Sequence, residues 1–165
     1  MNEQESRPTD QYGLTEITVE IRTEGGARAV PGLMHKACPG LAVTMHPFGV
    51  FQVTHTKTGL KLCSIYQRAS SAVLAMSWWA LIADMEGCSW EEMGVADVSV
   101  MMSKANDKPV PFDDCTSTSQ GETRKMTVGE WFQHQRIPIF DEFPWEETDP
   151  FETAISNLEK IGEAA

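Results

Sequence analysis

No segment of this sequence is long and apolar enough to cross a membrane, and cysteine is scarce. The longest uncharged apolar stretch, residues 69–83, has 15 residues, whereas a membrane-spanning helix needs about 20. The first 13 residues are polar and acidic and lack the basic start and apolar run of a signal peptide. None of the 4 cysteines lies in a C-x-x-C pair. These absences predict a cytoplasmic protein with reduced cysteines and no membrane partner, although an even cysteine count leaves two disulfides open.

The motifs that cradle phosphates, activate a serine, or hold zinc or calcium are also missing from the sequence. Paired acids such as Glu91 and Glu92 are adjacent, so their side chains point in different directions and do not form an acid pair. The chain is therefore predicted not to be an enzyme and to use no cofactor.

One cluster has residue types suited to chemistry, namely His35-x-x-Cys38 together with His55. If two strands pair around residues 47–49, His55 lies near Cys38, and the three could form a nucleophile with its base or part of a zinc site. No fourth ligand stands at motif spacing. A histidine at the edge of the core, hydrogen-bonded to a turn, is the simpler interpretation of His55, and we predict no metal and no essential cysteine. Two further cysteines, Cys63 and Cys88, are interpreted as small core residues.

Alternating apolar and polar residues predict an antiparallel sheet. Residues 14–22 form a half-buried N-terminal strand, and residues 29–39 are a connector with room for a short strand. The tetrapeptide His46-Pro47-Phe48-Gly49 predicts a type I turn within the sheet. A three-stranded meander is expected at residues 41–46, 50–56 and 60–65.

The faces of the meander follow from the two-residue period of a strand. The core side is expected to carry Leu41, Val43, Met45, Phe51, Val53, Leu60 and Leu62. The opposite face is polar enough to meet water and carries Ala42, Thr44, His46, Gln52, Thr54, Thr56 and Lys61.

A helix over residues 69–85, which includes Trp78 and Trp79, is apolar around nearly its whole circumference. Such a helix is buried on more than one side, so it needs the sheet and a second layer, from the C-terminal half or from a partner chain. The predicted fold is therefore α+β: an antiparallel sheet of a three-stranded meander plus an N-terminal strand, packed on a buried Trp-rich helix, with short C-terminal helices.

The C-terminal half is expected to be less regular. Residues 95–102 are β-branched enough to predict a strand, and capping-box patterns predict short helices that begin at Ser89, Thr127 and Asp149. The predicted organisation is a disordered N-terminus (1–13), a sheet–helix core (14–102), a loop (103–124) and an acidic aromatic C-terminal arm (125–165).

Charge is segregated along the chain, whose net charge is −11. Residues 25–83 contain 5 basic residues and no acid, whereas residues 84–165 contain 18 acids and 6 bases. The acids between 141 and 163 number 8 against a single base, and aromatic residues stand among them. Either this arm neutralises the basic sheet of its own chain, or it is free to meet a basic partner.

The second alternative predicts a partner-binding surface, because aromatic side chains supply burial and carboxylates supply steering. For Phe151 and Trp145, packing over the central helix is the competing interpretation. The residues assigned to the surface are Asp141, Glu142, Phe143, Trp145, Glu146, Glu147 and Asp149.

In size, acidity and layout the chain resembles small accessory proteins of phages and mobile elements, among them anti-CRISPR-type inhibitors. This resemblance implies a factor that binds, and thereby inhibits, a basic protein or nucleoprotein that handles nucleic acid. It rests on composition and architecture, so no site residue is transferred by it.

Two other functions remain open. A structural or assembly subunit, such as a virion component, would pack its Trp-rich helix against another chain, and self-association is compatible with this. Residues 40–85 also resemble the small sheet-type DNA-binding domains of some integrases and plant transcription factors. In such a domain Lys57, Lys61 and Arg68 would touch phosphates, although the surrounding acids argue against direct binding to nucleic acid.

Overall fold

The computed structural model describes residues 12–113, 115–135 and 150–161. It confirms the α+β architecture, with a five-stranded antiparallel sheet, a separate two-stranded hairpin, and helices before and after that hairpin. The strands are β1 (Leu14–Thr23), β2 (Gly26–His35), β3 (Leu41–His46), β4 (Val50–His55), β5 (Leu60–Tyr66), β6 (Thr116–Ser119) and β7 (Glu122–Lys125). The helices are α1 (Ala69–Met85), α2 (Val95–Ala105), α3 (Val128–Gln135) and α4 (Pro150–Glu159).

The sheet is a simple meander in the order β1-β2-β3-β4-β5. The prediction of a connector over residues 29–39 was wrong for its first part, because β2 is a full strand of 10 residues. All of β2 pairs with β1, whereas its pairing with β3 is confined to Gly32 and Leu33. The continuous pairing of β2 with β1 thus outweighs the local tendency of Pro31 and Gly32 to form a turn.

The turn between β3 and β4 lies where it was predicted, but its type differs. Phe48 has φ 68° and ψ 18°, and Gly49 has φ 71°, whereas both central residues of a type I turn have negative φ. A positive φ is normally adopted by glycine, because glycine has no Cβ. Here a phenylalanine adopts it.

The sheet curls, and this overturns the prediction that one face of the meander meets water. Thr44 and Thr54 on that face are 0% and 1% exposed, and their hydroxyl oxygens lie 2.7 Å apart. Apolar side chains of β1 and β2 pack on the same face, and the backbone N–H of Arg22 in β1 donates to the carbonyl of Gly59 in the β4–β5 turn. The face of the sheet opposite α1 is therefore concave, and the side chains at its base are buried.

On the other face, α1 packs against β3, β4 and β5. Its bounds are the predicted ones, and its second layer comes from the C-terminal half of the same chain, as Trp90, Phe112, Trp131 and α4 surround it. Two predicted core residues are exposed instead: Met45 (47%) beside the β3–β4 turn and Leu60 (38%) on the edge strand. Both lie at the margin of the sheet, where fewer neighbours cover a side chain.

The prediction of a strand over residues 95–102 was wrong, because this segment belongs to α2. Its half-buried and buried residues Val98, Met101, Met102 and Ala105 recur at helical spacing. The carboxylate of Asp97 accepts a hydrogen bond of 2.8 Å from the N–H of Gly94, which satisfies a free donor at the helix start. The β-branched valines of this segment favoured a strand only by propensity, which tertiary packing overrides.

Capping patterns were informative at two of three positions. The hydroxyl of Thr127 accepts from the N–H of Glu130 at 3.2 Å and the Glu130 carboxylate accepts from the N–H of Thr127 at 3.3 Å, so the predicted capping box opens α3. Pro150 begins α4 as expected. At Ser89 there is a turn, and the helix starts later, at Val95. The segment 103–124, predicted as a loop, contains the end of α2 and most of the β6–β7 hairpin.

Candidate functional site

The predicted acidic partner surface lies outside the described residues, since Asp141, Glu142, Phe143, Trp145, Glu146, Glu147 and Asp149 all fall within 136–149. The described part of the arm comprises residues 125–135, with α3, and residues 150–161, with α4, and α4 packs on α1. The Asn157 amide donates to the Ser77 hydroxyl at 3.2 Å, and Leu158 is fully buried. The half-buried ring of Phe151 meets the Tyr12 ring edge to face at 5.0 Å. Packing over the central helix, the competing interpretation for Phe151, is therefore confirmed.

Both histidines of the His35–Cys38–His55 cluster are buried and hydrogen-bonded within the fold. The Nδ1 of His35 accepts from the N–H of Ala37 at 3.0 Å, and its Nε2 lies 2.9 Å from the carbonyl oxygen of Tyr12. The Nε2 of His55 donates to the carbonyl of Trp90 at 2.7 Å, and its Nδ1 lies 3.0 Å from the Thr58 hydroxyl. His55 thus sits at the edge of the core and is bonded to a turn, as its simpler interpretation predicted.

The Cys38 thiol is suited to packing rather than to nucleophilic attack. Burial raises its pKa to about 12, so the thiol is protonated at neutral pH, and the thiolate is the reactive form. Within the described ranges, no group of three or more histidine, cysteine or acidic side chains is placed to hold a metal ion.

In the folded protein, Cys38 should accordingly react with thiol reagents more slowly than the less buried cysteines. With a disulfide-exchange reagent at pH 8, we expect Cys38→Ala to leave the fast-reacting thiols unchanged and to remove one thiol from the slow phase. Cys115→Ala, at a half-buried position, is the matched control and should remove a faster thiol. Rapid modification of Cys38 in the folded chain would contradict the burial argument.

The three cations predicted to touch phosphates do not form one patch. Lys57, in the β4–β5 turn, donates to the carbonyl of Glu92 at 2.9 Å. Arg68 precedes α1, beyond the far end of β5, and the 7 residues of that strand span roughly 20 Å. Lys61 lies on the concave face of the sheet, because it pairs with the buried Thr54.

The structure instead brings Lys61 together with residues that sequence reasoning did not assign to a site. Burial, followed by the positive charges of Arg28 and Lys61, lowers the pKa of His46. The Nε2 of His46 lies 2.7 Å from the Thr44 hydroxyl on the same face. Arg28 was missed because no strand was predicted at residues 26–28, where β2 begins, and the following residues were predicted as a connector. The fully exposed Phe48 stands at the adjacent turn.

A second surface, acidic and partly apolar, lies along α2. A groove of about 340 Å³ between α2 and the α1–α2 connection is lined by Met93, Val100 and Met101 and by the acids Glu92 and Asp97. Val100 is 53% exposed and Val95, on the first turn of α2, is 58% exposed. The sequence could not assign this surface, because residues 95–102 were predicted as a strand.

Ion pairs that join two described residues lie within the C-terminal half. Glu86 pairs with Lys108 at 2.7 Å, and Arg124 binds both carboxylate oxygens of Glu130, at 2.8 and 3.0 Å. Hydrogen bonding to Arg124 is the main reason why the pKa of Glu130 falls to about 2. Two further pairs join Asp113 to Lys125 at 3.0 Å and to Lys160 at 3.9 Å.

Three cations on the sheet side differ from these. Arg28, Lys36 and Lys61 are exposed, and none forms an ion pair with any residue that the structure describes. The segregation of charge along the sequence is thus kept in the folded molecule, as a basic sheet face and an acidic helical half. Comparison with protein-family models, curated proteins and solved structures finds no match to this chain.

Proposed function

We propose that this chain is a non-enzymatic protein-binding factor whose acidic C-terminal half engages, and thereby inhibits, a basic partner that handles nucleic acid. The observation that carries the proposal is that this half has more exposed acids than its cations pair with. Four cations of this half are bound by three carboxylates. Its exposed acids Asp84, Glu91, Glu92, Asp97, Asp107, Glu122, Glu152 and Glu159 form no ion pair among the described residues.

Unpaired carboxylates in such excess attract and orient a positively charged protein, chiefly by raising the rate of association. The groove along α2 adds apolar area beside Glu92 and Asp97, and the aromatic segment 140–145 continues the same acidic half in sequence. Aromatic anchors within a charged rim are the usual composition of a protein-binding surface.

An assembly subunit that packs its Trp-rich helix on another chain is less well supported, because α1 is covered within its own chain. Gel filtration with light scattering separates the two functions, and a stable oligomer at micromolar concentration would favour assembly.

We propose that the protein is located in the cytoplasm. The structure describes no helix that is both long and apolar enough to span a membrane, and Cys38 and Cys88 form no disulfide with any described residue.

Charge reversal in the arm tests the proposal. The partner is first captured from the native host with the tagged full chain. We then expect the double variant Glu146→Lys/Glu147→Lys to associate with it about tenfold more slowly, and added salt to slow the unmodified chain, because exposed charges are screened within about 8 Å. The melting temperature should change little, since exposed charges contribute little to stability.

The matched control reverses two exposed acids elsewhere, Glu20→Lys and Glu24→Lys in the β1–β2 hairpin, and should slow association much less. Phe143→Ala or Trp145→Ala should mainly speed dissociation, because buried aromatic anchors hold a formed complex. If the arm merely neutralises its own sheet, charge reversal lowers the melting temperature and leaves association indifferent to salt. That result would end the proposal.

A further inference from the structure

Phe48 combines two unfavourable features at the tip of the β3–β4 hairpin. Its φ of 68° lies in the left-handed region, which a bulky side chain adopts only at a cost in free energy, and its ring is fully exposed. Glycine at this position would remove both the strain and the exposed ring. No described residue forms a ring contact with Phe48, so the fold itself gives no reason for a phenylalanine here.

Behind this ring lies the concave face of the sheet, whose two cations form no ion pair with a described residue. Arg28 pairs with Ile21 across the β1–β2 hairpin, and Lys61 pairs with Thr54, so both cations belong to this face. The acids of β1 are on the other face, since Glu20 pairs with Ala29. The concave face therefore carries positive charge without a described carboxylate beside it.

Groups that form hydrogen bonds line the space between the two cations. His46 and Thr44 are joined at 2.7 Å, and Gln52 is half-buried opposite Thr44 in the next strand. Burial, followed by the positive charges of Arg28 and Lys61, lowers the pKa of His46, as expected for a ring on the same face as both cations. An anion that binds there would neutralise charges that now repel one another.

We propose that the concave face of the sheet, with Phe48 at its rim, binds single-stranded nucleic acid. Arg28 and Lys61 would contact successive phosphates, and an unpaired base would stack on the Phe48 ring. Cations that follow the backbone and an aromatic ring that accepts any base are the two components of sequence-independent binding to single strands.

The shape of the face favours this ligand over two others. Arg28 and Lys61 are exposed on different strands of a curved face, and a flexible strand can follow such a surface more closely than a flat lipid bilayer can. A protein partner would bury Phe48 in an apolar pocket, but an apolar pocket does not account for the two cations. This face is separate from the acidic surface, and its binding does not depend on the function proposed above.

Binding is tested by fluorescence anisotropy with a labelled oligothymidine of about 15 nucleotides, at the upper end of the length covered by one small sheet domain. The unmodified full chain is expected to bind at low salt with a dissociation constant below about 100 µM, the weak end of non-specific binding. Phe48→Gly should weaken binding roughly 5- to 150-fold, the range for loss of one stacked base. The same variant should keep or raise the melting temperature, because it removes backbone strain.

Charge variants test the phosphate contacts. Arg28→Gln/Lys61→Gln should lower the slope of log affinity against log salt by about 1.4, because two phosphate contacts are lost. The matched control, Lys36→Gln/Lys104→Gln, removes the same amount of charge from exposed sites elsewhere. Its affinity should keep most of the salt dependence of the unmodified chain.

Two outcomes would overturn the proposal. The first is no binding of the oligothymidine up to about 100 µM at low salt; binding to vesicles that contain phosphatidylserine, or a Phe48-dependent contact with the protein captured by the acidic arm, would then identify the ligand as a lipid or a protein. The second is binding that Phe48→Gly leaves unchanged.

Discussion

Replacing Trp79 with alanine is expected to destabilise the protein by about 3–5 kcal/mol, the usual loss for a large buried aromatic residue. Trp79 is 2% exposed and lies at the centre of the aromatic cluster, with its ring 4.9 Å from that of Trp131 and 6.0 Å from those of Trp90 and Phe132. Since small proteins are stable by roughly 5–15 kcal/mol in total, this variant should be close to unfolding. Urea denaturation followed by circular dichroism measures the loss.

Two neighbouring variants act as controls. Trp78→Ala changes the same chemical group at a half-buried position, where the ring stacks on Phe112 at 5.7 Å, and should cost distinctly less. Trp79→Phe keeps most of the side-chain volume and removes an indole N–H that has no hydrogen-bond partner among the described residues. The loss of stability should therefore be smaller than the lost volume alone implies, because no buried hydrogen bond is broken. An unchanged midpoint for Trp79→Ala would mean that the core lies elsewhere.

Replacing Gly40 with alanine is expected to be at least as damaging. Gly40 has φ +99°, and a Cβ there would lie 2.6 Å from the backbone nitrogen of Glu91 and from the carbonyl carbon of Trp90. Both atoms belong to the backbone, so no side-chain rotation relieves the clash. The loss should reach or exceed about 4 kcal/mol, which is exceptional for one methyl group.

The matched control is Gly49→Ala. Gly49 also has a positive φ, +71°, but no atom lies within 4 Å of the position of its Cβ. This variant should therefore lose only the stability that corresponds to backbone strain, about 1–2 kcal/mol. Equal losses for the two variants would show that the close approach of Gly40 to the Trp90 turn has no energetic consequence.

Gly40 also connects the sheet to the helical half. Its carbonyl accepts the N–H of Thr56 at 2.9 Å, and the neighbouring His55 donates to the carbonyl of Trp90 at 2.7 Å. The Trp90 indole in turn donates to the carbonyl of Trp79 at 3.2 Å. We therefore expect both damaging variants to loosen the same region, where β3, the Trp90 turn and α1 meet.

Features that depend on near neighbours were predicted from the sequence. The bounds of α1, the positions of β3, β4 and β5, and the capping box at Thr127 all follow from periodicity and from hydrogen bonds three residues apart. The separation of a basic segment from an acidic one is likewise a property of the sequence, and the ion pairs of the described residues preserve it.

Tertiary structure alone decided the features that depend on distant partners. Pairing with β1 made β2 a strand despite Pro31, and burial of Met101 and Ala105 made α2 a helix despite its valines. Curling of the sheet buried Thr44 and gathered Arg28, His46 and Lys61 on one concave face. The physical reason is that local propensities are worth tenths of a kilocalorie per residue, whereas packing against distant segments contributes about 1.5–3 kcal/mol for each large apolar side chain that is buried.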